Sequence, residues 1–246
     1  MERTILNTIR ALDTSDGAGV RLKRALGYNP MVRLDPFLML DAFSSDNPDD
    51  YIAGFPPHPH RGFETVTYLM EGHMKHRDHL GNEGDLQQGG VQWMTAGRGI
   101  IHEEMPQQQD GLLRGFQLWI NLPAAEKMKA AGYRDITDTE IPRLDLPTGG
   151  QIKAIAGEVT IGNQVIKAPV NGGSTDPLYL DVKLRAGETV TVPLTQGYNA
   201  FLYLFEGQVS VAGEGVKSDH LATFTDGDKV SLVAGDHGAR LLLLAG

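Results

Sequence analysis

The sequence predicts an all-β chain in which one module is used twice. Short runs of aromatic and β-branched residues recur between clusters of Gly, Asn, Asp and Pro, which is the pattern of strands at short spacing. The 30 glycines and 13 prolines among 246 residues suit a chain of many tight turns. Tyr68-Leu-Met-Glu-Gly72 is answered by Tyr203-Leu-Phe-Glu-Gly207, each an apolar strand running into an acidic-glycine turn. A single large β-barrel, with the five-residue match a coincidence of common residue types, is the other reading.

The strands follow in order as residues 63–70, 91–95, 113–120, 151–159, 179–184, 189–192, 201–205 and 240–244. One minor helix is expected at 123–131, where Pro123 suits a helix start, Ala, Glu, Lys and Met are good formers, and Gly132 can close the end. Residues 137–150 carry Pro142, Pro147, Thr148, Gly149 and Gly150 and read as a linker. The expected domains are therefore 1–136 and 137–246.

The formal net charge of −9 makes the surface repel phosphate backbones and anionic lipid, so no direct nucleic-acid contact and no membrane association are expected. Cysteine is absent, which excludes disulfides, thiolate metal sites and thiol nucleophiles, so any metal must be held by nitrogen and oxygen. The first 17 residues have no apolar core behind a basic region, and no run of about 18 apolar residues occurs. A cytoplasmic monomer is the expectation.

Six of the eight histidines fall between His58 and His102. His58 and His60 lie two apart, as do His102 and Glu104, and side chains two apart share one face of a strand. Two such pairs on neighbouring strands can converge four ligands, His58, His60, His102 and Glu104, on one divalent ion. Such a set leaves a net charge of about +1 on the ion and keeps positions open for substrate. Gly97-Arg98-Gly99 makes a tight turn before His102, and Pro57 and Pro59 suit a barrel rim or sheet edge. The bland reading is that these histidines only bond backbone groups at loop ends.

His73, His76 and His79 are spaced by three, which splits them across the faces of a strand, so a solvated hairpin is expected there. Glu64 shares parity with His58 and His60 and is a fifth ligand or a partner for a ligand imidazole, unless the turn at Arg61 and Gly62 rotates it away. Trp93 and Trp119 read as core. No Walker, Rossmann or nucleophile-elbow pattern occurs.

Asp35-Pro-Phe-Leu-Met-Leu-Asp41, Phe55-Pro-Pro-His-Pro-His-Arg-Gly-Phe-Glu-Thr65, His76-Arg-Asp78, Gln92-Trp-Met-Thr-Ala-Gly-Arg-Gly-Ile-Ile-His-Glu-Glu-Met-Pro106 and Gln117-Leu-Trp-Ile-Asn-Leu-Pro-Ala124 resemble the signatures of the pirin family, within the cupin superfamily. The resemblance is close over residues 1 to about 130 and looser beyond. It implies a bicupin, two antiparallel jelly-roll β-barrels, with a metal only in the N-terminal barrel at the positions of His58, His60, His102 and Glu104. Two departures from the general cupin pattern are shared by pirins: the glycine after Glu64 falls one residue late, at Gly72, and Gly97 stands where the second motif has proline. In the second half, thirty residues beyond Gly207 lies His237, but Ala239 holds the carboxylate position and no His-x-His precedes Tyr203. That domain is expected to lack metal ligands.

Several bacterial pirins are quercetin 2,3-dioxygenases (flavonol 2,4-dioxygenases), so the resemblance implies a metal-dependent enzyme that cleaves flavonols such as quercetin with O₂. Glu104, beside the metal, is the expected general base. The resemblance points to Fe(II), while the Irving–Williams order lets Ni, Cu, Zn, Mn or Co enter recombinant protein. The alternative is a metal-binding regulatory or redox-sensing module that acts through a protein partner, as the animal members do.

Overall fold

The computed structural model describes all 246 residues, and its only helical elements are 3-10 turns at Pro48–Asp50 and Asp138–Glu140. No helix is long and apolar enough to cross a membrane. The strands pair antiparallel and gather into two compact units, one of residues 12–140 and the other of residues 1–11 with 141–246.

In the unit of residues 12–140, seven strands lie in the order Gly132–Ile136, Val91–Thr95, Phe63–Glu71, Leu113–Asn121, Phe37–Ser45, Val20–Leu26, Leu12–Asp16. A second sheet runs Phe55–His60, Ile100–Pro106, His73–Asp78, Glu83–Gln87. Apolar side chains of both sheets meet in a core that includes Phe43, Leu69, Met74, Leu86 and Leu113. Removing one such side chain typically costs about 2–5 kcal/mol. In Leu113–Asn121 the alternation is functional as well as structural: Leu118 and Ile120 are buried, while Gln117 and Trp119 share the other, half-buried face.

In the other unit, seven strands run Ile5–Arg10, His220–Phe224, Ala200–Val211, Lys229–Ala245, Leu178–Leu184, Gln151–Ala156, Arg143–Asp145. The 17-residue strand Lys229–Ala245 also pairs with Thr189–Pro193. Its pairing with Ala200–Val211 slips between Leu204 and Glu206 and again between Gly207 and Val209. Such bulges bend a long strand and let it serve two layers. The two halves of the internal repeat therefore diverge, since the strand ending at Glu71 stops before Gly72 whereas its counterpart continues through Gly207.

Three expectations are corrected. Residues 123–131 form consecutive turns rather than a helix. Their polar groups serve distant partners: Lys127 Nζ donates to the Gly62 carbonyl at 2.9 Å, and Arg98 N–H donates to the Lys129 carbonyl at 2.9 Å. A nine-residue segment is too short for helix propensity to outweigh such tertiary bonds. The stretch 137–150 is not a plain linker, because Arg143–Asp145 pairs with Gln151–Ala156 and Ile141 is buried. The division also differs from 1–136 and 137–246. The first eleven residues pack with the C-terminal unit, where Ile5–Arg10 pairs with His220–Phe224.

Candidate metal centre

The proline-rich strand Phe55–His60 lies at the edge of its sheet, where missing N–H donors at Pro57 and Pro59 cost no ladder bonds. It pairs with Ile100–Pro106 so that His58 stands opposite His102 and His60 opposite Ile100. Two turns hold this register. The Gly62 N–H donates to the Gly97 carbonyl at 2.8 Å, tying the end of one ligand strand to the turn that opens the other. Gly97 has φ +51°, and a Cβ there would fall 2.2 Å from the Lys129 carbonyl oxygen, so only glycine fits.

Three imidazoles converge as a result. The ligand nitrogens of His58, His60 and His102 lie within 4.8 Å of one another, the one such group in the chain. The ring centroids are 4.4–4.8 Å apart. His58 Nδ1 is 2.8 Å from the Pro56 carbonyl, which places its proton there and leaves Nε2 as a lone-pair donor. The Nε2 atoms of His60 and His102 are buried and have no hydrogen-bond partner. Burial, then the neighbouring imidazoles, holds the pKa of His60 down to about 4 and that of His102 to about 2, so both rings are neutral near pH 7. Two neutral imidazoles with buried, unpaired Nε2 atoms, and a third whose Nε2 is left free to ligate, fit a divalent transition ion.

Glu104 is not among the converging atoms. It shares the His102 face, is buried and lines the same cavity, but the pairing slips by one residue between His102 and Glu104 and sets Phe55 opposite it. Thr67 Oγ1 donates to Glu104 Oε1 at 2.9 Å, and burial raises the carboxyl's pKa above its ordinary value. Thr67 Oγ1 also lies 2.6 Å from the Gln117 side-chain amide, completing a chain of polar groups across the cavity wall.

The cavity is about 490 Å³, within the range of roughly 300–1,000 Å³ usual for small-molecule sites. Phe43, Phe55, Met39 and Trp119 give it apolar walls, and Asp16 and Asp41 give it a polar one. Arg24 grips Asp41 in a bidentate pair at 2.8 and 2.7 Å and reaches Asp16 at 2.7 Å. Burial raises the pKa of Asp41, and Arg24 works against that rise.

Four placements differ from the sequence reading or extend it. Trp119 is not plain core: it lines the cavity with its ring 5.2 Å from that of His60 and its Nε1 unpaired. Gln117, which shares its face, was the available signal. Of His73, His76 and His79, the first and last do lie in an exposed hairpin, formed by His73–Asp78 and Glu83–Gln87, but His76 turns inward and is buried against His102. Met74, of the same parity, marked that face as inward. Glu64 turns away and accepts from Thr95 Oγ1 at 2.6 Å and Trp93 Nε1 at 3.1 Å. His237 lies in a polar depression of the other unit beside Lys183, Arg185 and Asp236.

The pirin profile matches residues 19–120, and that of the pirin C-terminal cupin domain matches residues 179–246. A Pseudomonas aeruginosa protein provisionally named a quercetin 2,3-dioxygenase is 49% identical over 247 residues, spanning 99% of this chain and 86% of its own. The crystal structure of a quercetin 2,3-dioxygenase from Acinetobacter baumannii superimposes with a TM-score of 0.91 at 30% identity, covering 100% of this chain and 87% of that one. A bacterial pirin from Escherichia coli in complex with nickel(II) shares the fold, with a TM-score of 0.72 at 17% identity, covering 97% of this chain and 98% of that one.

Proposed function

This chain belongs to the pirin family, with the bicupin fold of that family, and from that premise we propose that it is a metal-dependent dioxygenase that cleaves flavonols such as quercetin with O₂. The observation that carries the reading is the convergence of the His58, His60 and His102 imidazoles, with the Nε2 atoms of His60 and His102 unpaired, beside a 490 Å³ cavity with aromatic walls. The quercetinase names of two similar proteins support the substrate class.

His58, His60 and His102 would hold the ion, with Glu104 as fourth ligand or as the base beside it. When bound, the ion, with iron(II) proposed as the working metal, would supply a Lewis-acidic and redox-active centre at the cavity. The chain does the rest. Trp119, Phe43 and Phe55 suit a flat aromatic substrate and exclude water. Glu104 takes the 3-hydroxyl proton, since burial has raised its affinity for one and Thr67 orients it. With Asp16, Asp41 and Glu104 all lining the cavity, a neutral molecule rich in hydroxyl donors is favoured over an anionic one.

The test is aerobic incubation with quercetin, following loss of its near-visible absorbance and release of carbon monoxide, with metal-stripped protein as control. Turnover that depends on metal is expected. Absence of turnover with Fe, Mn, Co, Ni and Cu alike would overturn the enzyme reading in favour of a metal-dependent regulatory module.

A further inference from the structure

The buried face that presents His102 holds a fourth imidazole that the ligand set does not use. His76 lies on the adjoining strand opposite Glu104, is 3% exposed, and places Nε2 2.9 Å from Nδ1 of His102. The two rings stand 4.5 Å apart, and Tyr133 packs edge-on to His76 at 4.8 Å.

Only one arrangement of protons is compatible with a ligand role for His102. Its Nε2 faces the ligand set unpaired, so Nδ1 must carry the hydrogen and donate it to His76 Nε2. His76 must then carry its own hydrogen on Nδ1, which is buried and has no hydrogen-bond partner. An imidazole with no acceptor for Nδ1–H would be free to move its proton to Nε2, the tautomer that cannot bind a metal through Nε2.

We propose that His76 is a positioning residue for the metal centre: it locks His102 in the Nε2-ligating tautomer and fixes its ring plane. The inference rests on the metal reading above and concerns His76 alone. Partners of this kind are worth roughly 10–100-fold in metal affinity.

Cobalt(II) is a suitable probe, because its unpaired electrons shift the N–H signals of ligating imidazoles clear of the rest of the proton spectrum. In cobalt-loaded wild-type protein, one shifted, slowly exchanging N–H is expected to show cross-relaxation to the His76 ring protons. In His76→Leu that signal exchanges rapidly and the cobalt Kd weakens roughly 10–100-fold, while His76→Gln, whose amide oxygen can accept the same hydrogen, recovers affinity to within a few-fold. Urea midpoints of the metal-free proteins check that both variants fold. Absence of the cross-relaxation in wild type would overturn the proposal without any variant, and so would a folded His76→Leu that binds cobalt as tightly as wild type. A wild-type protein that takes up no cobalt would sink the metal reading as well, which distinguishes the two failures.

Discussion

Arg3 Nε donates to the carbonyl of Gly227 at 3.0 Å, joining residues 224 positions apart at a buried site. The same guanidinium donates to the carbonyls of Tyr198, Thr225 and Thr195 at 2.9, 3.2 and 2.8 Å, and Asp226 lies 3.6 Å away. One side chain thereby ties two backbone segments, 195–198 and 225–227, to the start of the chain. Arg3→Met keeps much of the volume but leaves buried carbonyls unpaired, at about 1–3 kcal/mol each. A loss of at least about 3 kcal/mol is expected, read as a drop in the urea midpoint. An unchanged midpoint would mean that water satisfies those carbonyls equally well.

His58→Ala and His102→Ala are each expected to abolish stoichiometric metal binding, whereas His73→Ala and His79→Ala leave it within a few-fold. The distinction is where the nitrogens point. His73 Nε2 bonds Asp85 at 2.5 Å, and His79 Nδ1 accepts from the Ile101 N–H at 3.1 Å, so neither faces the cluster. Elemental analysis of the four purified variants decides it, and equal metal loss in the His79 variant would overturn the ligand assignment.

Glu104→Gln preserves the three imidazoles and the shape of the cavity wall, yet an amide cannot accept the substrate's proton. Much of the metal is expected to stay, with kcat lower by roughly 10²–10⁴-fold. Full turnover in a metal-replete Glu104→Gln protein would remove this residue as the base.

The metal-free protein should weaken in mild acid. His60 and His76 titrate at about 4 and His102 at about 2 in the folded state, against 6.5 when unfolded. The unfolded chain therefore binds more protons below pH 6.5, so stability is complete above that value and is lost as pH falls. Each imidazole contributes up to about 1.4 kcal/mol per pH unit well below 6.5. Urea midpoints at pH 7 and pH 5 test this, and a flat profile would contradict the burial of these rings.

Nitrogen-rich sites without thiolate bind Ni²⁺, Cu²⁺ and Zn²⁺ more tightly than Fe²⁺ or Mn²⁺ at equal availability. Recombinant protein is therefore expected to carry a metal that follows the growth medium. Stripping the protein and reconstituting it anaerobically with each ion gives turnover per bound metal, with the iron form expected to exceed the zinc form. Equal rates for iron and zinc would leave the ion only an orienting role.

The sequence by itself determined whatever depends on neighbours along the chain. Period-two spacing put His58 with His60 and His102 with Glu104 on strand faces, turn residues marked strand ends such as Val91–Thr95, and Pro57 and Pro59 marked a sheet edge. Tertiary structure decided what depends on register. That His102 faces His58, that a one-residue slip sets Phe55 rather than Pro56 opposite Glu104, and that His76 is sealed behind His102 all follow from which strands pair and where the ladder slips. The turns at 123–131 and the docking of Arg3 are of the same kind. In each case bonds between groups far apart in sequence outweigh a local preference worth less than about 1 kcal/mol per residue.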